Sequence, residues 1–534
     1  MKLNIESLST DAAAYAEAGV RVPRFDVAKM QAEGKKSPRW VHLGAGNIFR
    51  VFQNRIADDL LADGEFWPIT AVQPRGPESL ERSLRAYDDL TLAVTLSNAA
   101  TEYRVIAGIC ESLASEREED YERLREIFTQ PQVSIVTITI TEKGYVITDS
   151  HGNLREDVLA ELANEPDSNH LHTMVELAGL LYARYQNGGA PITLISTDNF
   201  SHNGDVLKTA LTTIVEAWAQ RGAVPAEFVA WLEDEKNVTY PITVIDKITP
   251  RPSEKVAAQI AELGFTNLGI ELVGRTPMAG FVNAEPAEYL LIEDKFAGAR
   301  PPLEKYGVIL TDRETCDKFE RMKVTTCLNP LHTALAITGC LLRFPTIDSE
   351  MRDADLSRLV HILGYQEAMP VVTDPGVVSP EEFLKEVLEV RFPNQALPDS
   401  PQRIAMDTSQ KLPIRFGVTL TEYQKRGLDM DSLVAIPVVF AAWCRYLLGV
   451  ADDGEAFEPS SDPLLEELQA LLKDVKLGQP VDAHAVLQPI LSNANIFGLD
   501  LYTTPLASRV EALFTRMVAG PGAVRATIHE EISK

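Results

Sequence analysis

Residues 323–332 (KVTTCLNPLH) place a lysine, an asparagine and a histidine in one short apolar stretch. Those three types can together serve hydride transfer at an alcohol carbon. Such chemistry needs a group to take the hydroxyl proton, donors to hold the developing alkoxide, and contacts that orient the rest of the substrate. Lys323 is the candidate general base, working neutral if burial lowers its pKa. Asn329 can donate its amide to the oxyanion, and His332 can bind a substrate oxygen or orient the site. On an unbroken helix Lys323 and His332 lie about 180° apart. Pro330 has no N–H to give to the carbonyl of Thr326, so a bulge or break between 323 and 330 is required if they share a site. Composition alone leaves the plainer reading open: a surface lysine, a capping asparagine and a satisfied histidine.

A second candidate is Gly44-Ala45-Gly46, directly after the apolar run RWVHL. A strand that turns through G-x-G into a helix lets backbone amides approach a pyrophosphate, whose charge the helix N-terminus favours. The third glycine of the usual fingerprint is missing, since Phe49 and Arg50 stand there, and a tight structural turn is the alternative. The next expected strand, WPITAVQPRG, ends in Gln73 and Arg75, with no carboxylate to receive a ribose hydroxyl. An arginine there can accommodate a 2′-phosphate, which leaves NADP open beside NAD; a solvated loop charge is the competing reading of Arg75.

The elements that must position these groups follow from the rest of the chain. Its 534 residues carry 50 basic and 77 acidic side chains, a net charge of −27. At roughly 100–200 residues per domain, two to four domains are expected. A surface this negative repels phosphate backbones and anionic lipid, so neither nucleic acid nor a membrane is an expected partner. The five cysteines are scattered, with no C-x-x-C and no zinc-site spacing, as for free thiols in a reducing compartment. The N-terminus has no apolar h-region, and the longest apolar stretch, 433–444, is too short to span a bilayer. The expected location is cytoplasmic.

From about 40 to 295, short apolar or β-branched runs (WPITAVQ, LTLAVTLS, VSIVTITIT, APITLIST, TVIDKIT) alternate with helical stretches such as 116–128 and 171–185. That alternation predicts βαβ units and a mainly parallel sheet. After about 310, long amphipathic stretches take over, at 316–342, 356–363, 380–390, 433–448, 463–472 and 506–518. The fold class expected is an α/β Rossmann-type domain with a parallel sheet over 1–298, including an N-terminal extension, and a mostly α-helical substrate-binding domain over 299–534.

Several motifs in consistent order carry a resemblance from about 41 to 418. They are GAGNIFR (44–50), TEKGY (141–145), STDN (196–199) with Asn203-Gly204, DKITP (246–250), PLEK (302–305), the Lys323/Asn329/His332 region, and RIAMDTSQKLP (403–413). Together they make the sequence similar to the long-chain mannitol dehydrogenase family of polyol and sugar-acid dehydrogenases, closest to its fructuronate reductase (D-mannonate oxidoreductase) branch. The lysine stands six residues before the asparagine, against five in the family's usual pattern, and Pro-Leu follows where many members have Gly-Ser.

The resemblance implies that Lys323 is the acid/base and that Asn199 and Asn329 flank the reacting oxygen. His332, Arg403 and Lys411 contact substrate, Glu142 lies close to the lysine, and Asp246 near substrate and cofactor. Gly44, Gly46, Asn47, Ile48, Phe49, Arg50, Gln73 and Arg75 make the cofactor loop. The competing readings are an Asx-turn for Asn199, a cap for Asp246, a buried salt bridge for Glu142 and a solvated pair for Arg403 and Lys411. The implied activity is a metal-free, NAD(P)-dependent interconversion of D-mannonate and D-fructuronate by a monomer or small homo-oligomer. Tagaturonate/altronate or a mannitol-type polyol is the alternative substrate, and a non-catalytic dinucleotide sensor is the alternative of another kind.

Overall fold

Six short segments build the central sheet of the first part of the chain: β1 (Trp40–Leu43), β2 (Ile69–Gln73), β3 (Ile109–Ala114), β4 (Ile135–Ile138), β5 (Ile192–Ser196) and β6 (Val238–Thr239). Their order is β3-β2-β1-β4-β5-β6, and every neighbouring pair is parallel. All residues of β1, β4 and β5 are buried, as both faces of a parallel sheet must be when helices cover them. Successive residues divide between two cores. Val41, Val136 and Leu194 pack with Leu124, Leu177 and Leu211, which lie on helices Glu118–Thr129, Thr173–Gln186 and Asn203–Gln220. Trp40, Ile135 and Ile195 face the other way, onto Ile56 and Leu60 of helix Gln53–Ala62 and onto Leu290 and Ile292.

The computed structural model describes residues 1–397 and 399–534. These form two compact units, Met1–Cys316 and Asp317–Lys534. Residues 299–316 fall in the first unit because Val308–Thr311 pairs in parallel with Tyr289–Glu293.

Two of the runs expected in the parallel sheet lie elsewhere. Thr91–Leu96 pairs antiparallel with Thr101–Ile106, because four intervening residues allow a hairpin but not the crossover a parallel partner needs. Thr243–Asp246 pairs antiparallel with Tyr289–Glu293, in a small sheet that covers the β1–β4 face.

The second unit is helical. Its longest apolar run forms Ala435–Tyr446, buried along its whole length and packed against Leu506–Met517 and Asn329–Leu342. A helix apolar on every side has to be central. Its N-terminus ends on the buried Glu367 carboxylate, which accepts the backbone N–H groups of Val434, Ala435 and Ile436. That charge offsets the helix dipole where water cannot. Among the described residues, no helix is long and apolar enough to cross a membrane.

The turn after β1 makes opposite demands on its two glycines. Gly44 has φ +104°, and a Cβ there would lie 1.9 Å from the carbonyl oxygen of Thr139. Gly46 has φ −76°, and its Cβ would meet no described atom within 4 Å. Gly44→Ala is therefore expected to cost at least about 3 kcal/mol in urea denaturation. Gly46→Ala should leave the midpoint unchanged or raise stability by up to about 1 kcal/mol.

Candidate functional site

In the first unit the G-x-G turn is locked to its neighbours by backbone. Gly44 N–H donates to Val72 of β2 (2.7 Å), Thr139 N–H donates to Leu43 (2.8 Å), and Gly46 N–H closes back on Gly44 (2.8 Å). The chain then enters Asn47–Val51 with Gly46 as N-cap. Asn47 and Ile48 are partly exposed there, whereas Phe49 and Arg50 point inward. Phe49 stacks on His42 at 3.9 Å. Arg50 donates to the Ala279 carbonyl (2.9 Å) and the Thr91 hydroxyl (3.3 Å), and burial pulls its pKa down to about 9. It anchors the turn to the neighbouring sheet. At the end of β2, Gln73 accepts the Ala45 N–H (3.2 Å) and so ties the two loops together. Arg75 is not a solvated loop charge: it donates to the His170 carbonyl (2.9 Å) and faces Glu176 at 3.7 Å.

A buried carboxylate organises the loops after β4 and β5. Asp198 accepts the N–H groups of Ile140 (2.9 Å) and Thr141 (2.8 Å) and the Tyr145 hydroxyl (2.7 Å). Burial raises its pKa and these donors oppose the rise. Thr141 sits at φ +68°, ψ 154°, a backbone region that β-branched residues avoid. Glu142 begins the following turn and is exposed, so it is not in a buried salt bridge. Asn199 is exposed on the loop directly after Asp198. Asn203 spans the next gap, donating to the Asp198 carbonyl (2.9 Å) and accepting the Thr243 N–H (2.9 Å). That holds strand Thr243–Asp246, whose last residue is the buried Asp246.

The stretch 313–342, which enters the second unit at Asp317, is not one helix. Arg313–Met322 runs into a π turn, Lys323–Cys327, then Leu328 breaks at φ −130°, ψ −65°, and Asn329–Leu342 begins. The irregularity that the Lys–Asn spacing and Pro330 require is present between those residues. Leu328 N–H reaches back five residues to the Lys323 carbonyl (3.2 Å), and Pro330 falls in the first turn, where its missing N–H costs nothing. Lys323 is only 3% exposed. Its turn packs against the π turn Pro413–Gly417, from which Arg415 donates to the Thr333 hydroxyl and reaches the Asn329 carbonyl at 3.5 Å.

A basic cluster surrounds His332. Arg403, Arg415 and Arg391 all lie near enough to disfavour its cation, and burial, the larger cause, lowers its pKa to about 3. Both causes favour the neutral imidazole, and Asp399, 3.8 Å away, opposes them. Arg403 is exposed and grips Asp399 with two guanidinium nitrogens. Lys411 donates to the carbonyls of Ile404 (3.0 Å) and Met406. Burial, with Arg415 and Arg403 nearby, pushes it down to about 8. Lys411 is thus not a solvated charge, whereas Arg403 is exposed in its pair with Asp399. Reasoning from sequence missed Arg415 and Asp399, and assigned no role to Asp198 or Glu176. The adjacent prolines in KLPIR and LPDS hid the first two, and the others act through contacts distant in sequence.

The sheet order and the glycine turn at its β1–β4 switch point define a Rossmann-type dinucleotide-binding domain. A family model described as the mannitol dehydrogenase Rossmann domain matches residues 38–305, and one described as the mannitol dehydrogenase C-terminal domain matches 315–518. The chain belongs to the mannitol dehydrogenase family. It is 45% identical to the D-mannonate oxidoreductase of Thermotoga maritima, over 100% of this chain and 99% of that protein. A crystal structure of D-sorbitol dehydrogenase in substrate-free form superposes with a TM-score of 0.80 at 26% identity, covering 96% of this chain and 98% of that one. Pseudomonas fluorescens mannitol 2-dehydrogenase, in a ternary complex with NAD and D-mannitol, gives 0.70 at 26% identity with 100% of both chains covered.

The depressed Lys411 has a direct readout. Its ammonium should titrate by side-chain NMR near pH 8 instead of near 10.5. Arg415→Gln should move that midpoint upward by removing a like charge.

Proposed function

We propose that this chain interconverts D-mannonate and D-fructuronate with NAD(H). The observation that carries the reading is the likeness to a D-mannonate oxidoreductase along the whole chain. The basic cluster supports it: Arg403 and Arg415 lie near His332 and also near Lys411, and such a group of cations suits the carboxylate of a sugar acid. A neutral polyol has no use for that much positive charge, and gathering it costs mutual repulsion and burial.

The residues present fit the dinucleotide. Gly46 leaves space where any side chain would stand, so a pyrophosphate can approach the backbone that leads into Asn47–Val51. Bound there, NAD supplies the hydride acceptor in one direction and the donor in the other. Gly44, Gly46, Asn47 and Ile48 hold it, with Gln73 bracing the turn. Phe49 and Arg50 support it from below.

Lys323 is the acid/base. In the oxidative direction its neutral amine takes the C5-hydroxyl proton of mannonate, and in reduction its ammonium returns that proton to the same oxygen. The amides of Asn199 and Asn329 donate to the developing alkoxide without adding a charge that would hold the proton. His332 donates or accepts at a neighbouring hydroxyl. Glu142 and Asp246 complete the polar surroundings of lysine and substrate. We place the enzyme in the cytoplasm, where its five buried cysteines, none of them in a disulfide, remain reduced, as a monomer or small homo-oligomer.

A panel of keto substrates followed by NADH absorbance tests the reading. kcat/KM for D-fructuronate is expected to exceed that for fructose by at least about a hundredfold, with tagaturonate between them. Equal rates on fructose would make the protein a polyol dehydrogenase. NADH binding with no turnover on any member of the panel would make it a sensor.

A further inference from the structure

The loop that leaves β2 reads Gln73-Pro74-Arg75-Gly76, so Arg75 is its one cation. Gly76, at φ +71°, turns the chain into helix Pro77–Ser83 and gives its N–H to Glu116 (3.0 Å). In a sheet of this order, the end of β2 is where a dinucleotide's adenosine ribose is read, and an arginine there serves a 2′-phosphate. Here the guanidinium is engaged instead. It is one-third exposed, donates to the His170 carbonyl at 2.9 Å, and faces the Glu176 carboxylate at 3.7 Å.

Glu176 lies in the first turn of Thr173–Gln186 and is 2% exposed. Neither of its carboxylate oxygens has a hydrogen-bond partner of good geometry among the described residues. Burial pushes its carboxyl up to about 7, while the Ser115 hydroxyl and Arg75 lie near enough to favour its charged form. A buried acid without hydrogen-bonded partners is costly, and the neighbours of this residue on the helix, Val175 and Leu177, are apolar core residues. What the acid does have is a cation at the ribose-reading end of the sheet.

We propose that Glu176 is a positioning residue for dinucleotide choice: it draws Arg75 inward and offsets its charge, so that the site takes a ribose 2′-hydroxyl and rejects a 2′-phosphate. The inference rests on reading the Gly44–Gly46 turn as the dinucleotide site. A phosphomonoester dianion meets a guanidinium already paired with a carboxylate, and gains little from it. With the carboxylate replaced by an amide of the same shape, the guanidinium is free to turn outward and bind the phosphate.

The test compares kcat/KM for NADPH and NADH in wild type, Glu176→Gln, Arg75→Ala and the double variant, with NADH binding measured separately by fluorescence. Glu176→Gln is expected to raise the NADPH/NADH ratio about tenfold, mainly through KM for NADPH. The double variant should return to the wild-type ratio. Arg75→Ala alone should leave the ratio within about twofold, since Arg75 is not available to a phosphate in the wild type. A tenfold fall in the ratio on Arg75→Ala would show that Arg75 already serves the phosphate, and would overturn the inference even if Glu176→Gln failed to fold. An unchanged ratio in a folded, active Glu176→Gln variant would overturn it as well. Absence of NADH binding in the wild type would instead overturn the reading of the site itself.

Discussion

The first unit depends on one carboxylate that need not touch substrate. Asp198 holds the loop after β4 to the loop after β5 through two backbone N–H groups and the Tyr145 hydroxyl. Its most demanding partner is Thr141, in a backbone region that costs about 1–3 kcal/mol for a residue with a Cβ. Charge-assisted bonds in a buried place are strong enough to offset that cost. The consequence is local and exact in register: Glu142 follows the strained residue, and Asn199 follows the acid. Through Asn203 the same clamp reaches Thr243 and so the strand ending in Asp246. Glu142 and Asn199 are therefore placed by this carboxylate and its donors, and Asp246 is reached through the Asp198 main-chain carbonyl and Asn203.

The second unit solves a different problem, since the residues proposed for its chemistry lie on a helix that cannot be regular. A one-residue excess between Lys323 and Asn329, followed by a proline, is absorbed as a π turn and a single break at Leu328. The basic cluster nearby explains how an acidic protein can take an acidic substrate. The net charge is −27, yet Arg403 and Arg415 lie near both His332 and Lys411. Burial first, and the neighbouring Arg415 and Arg403 second, push Lys411 down to about 8, below the range of a lone surface lysine.

Much of this was legible in the sequence, for reasons that differ from place to place. RWVHL running into G-x-G announced β1 and its turn, because only glycine tolerates the φ of Gly44. Pro330 announced the break in the helix. By contrast β3 was silent: Ile109–Ala114 reads ICESLA, with a glutamate that is buried only because Arg123 pairs with it. Thr91–Leu96, which pairs antiparallel with Thr101–Ile106 and parallel with Phe281–Ala284, and Thr243–Asp246 looked like strands of the central sheet because a short apolar run does not reveal its partner. The roles of Asp198, Glu176 and Arg415 were hidden for one shared reason. Each is defined by a contact that closes only when distant segments fold together, such as Asp198 with Thr141 or Glu176 with Arg75.

The central claim is that Lys323, buried at the start of the π turn, carries the proton of the hydride transfer. Single-turnover reduction of D-fructuronate by Lys323→Ala, with NADH affinity measured on the same preparation, tests it most directly. The expected result is a rate lower by about 10²–10⁴-fold with NADH affinity within about threefold of wild type. A rate within tenfold of wild type at full NADH occupancy would contradict the account.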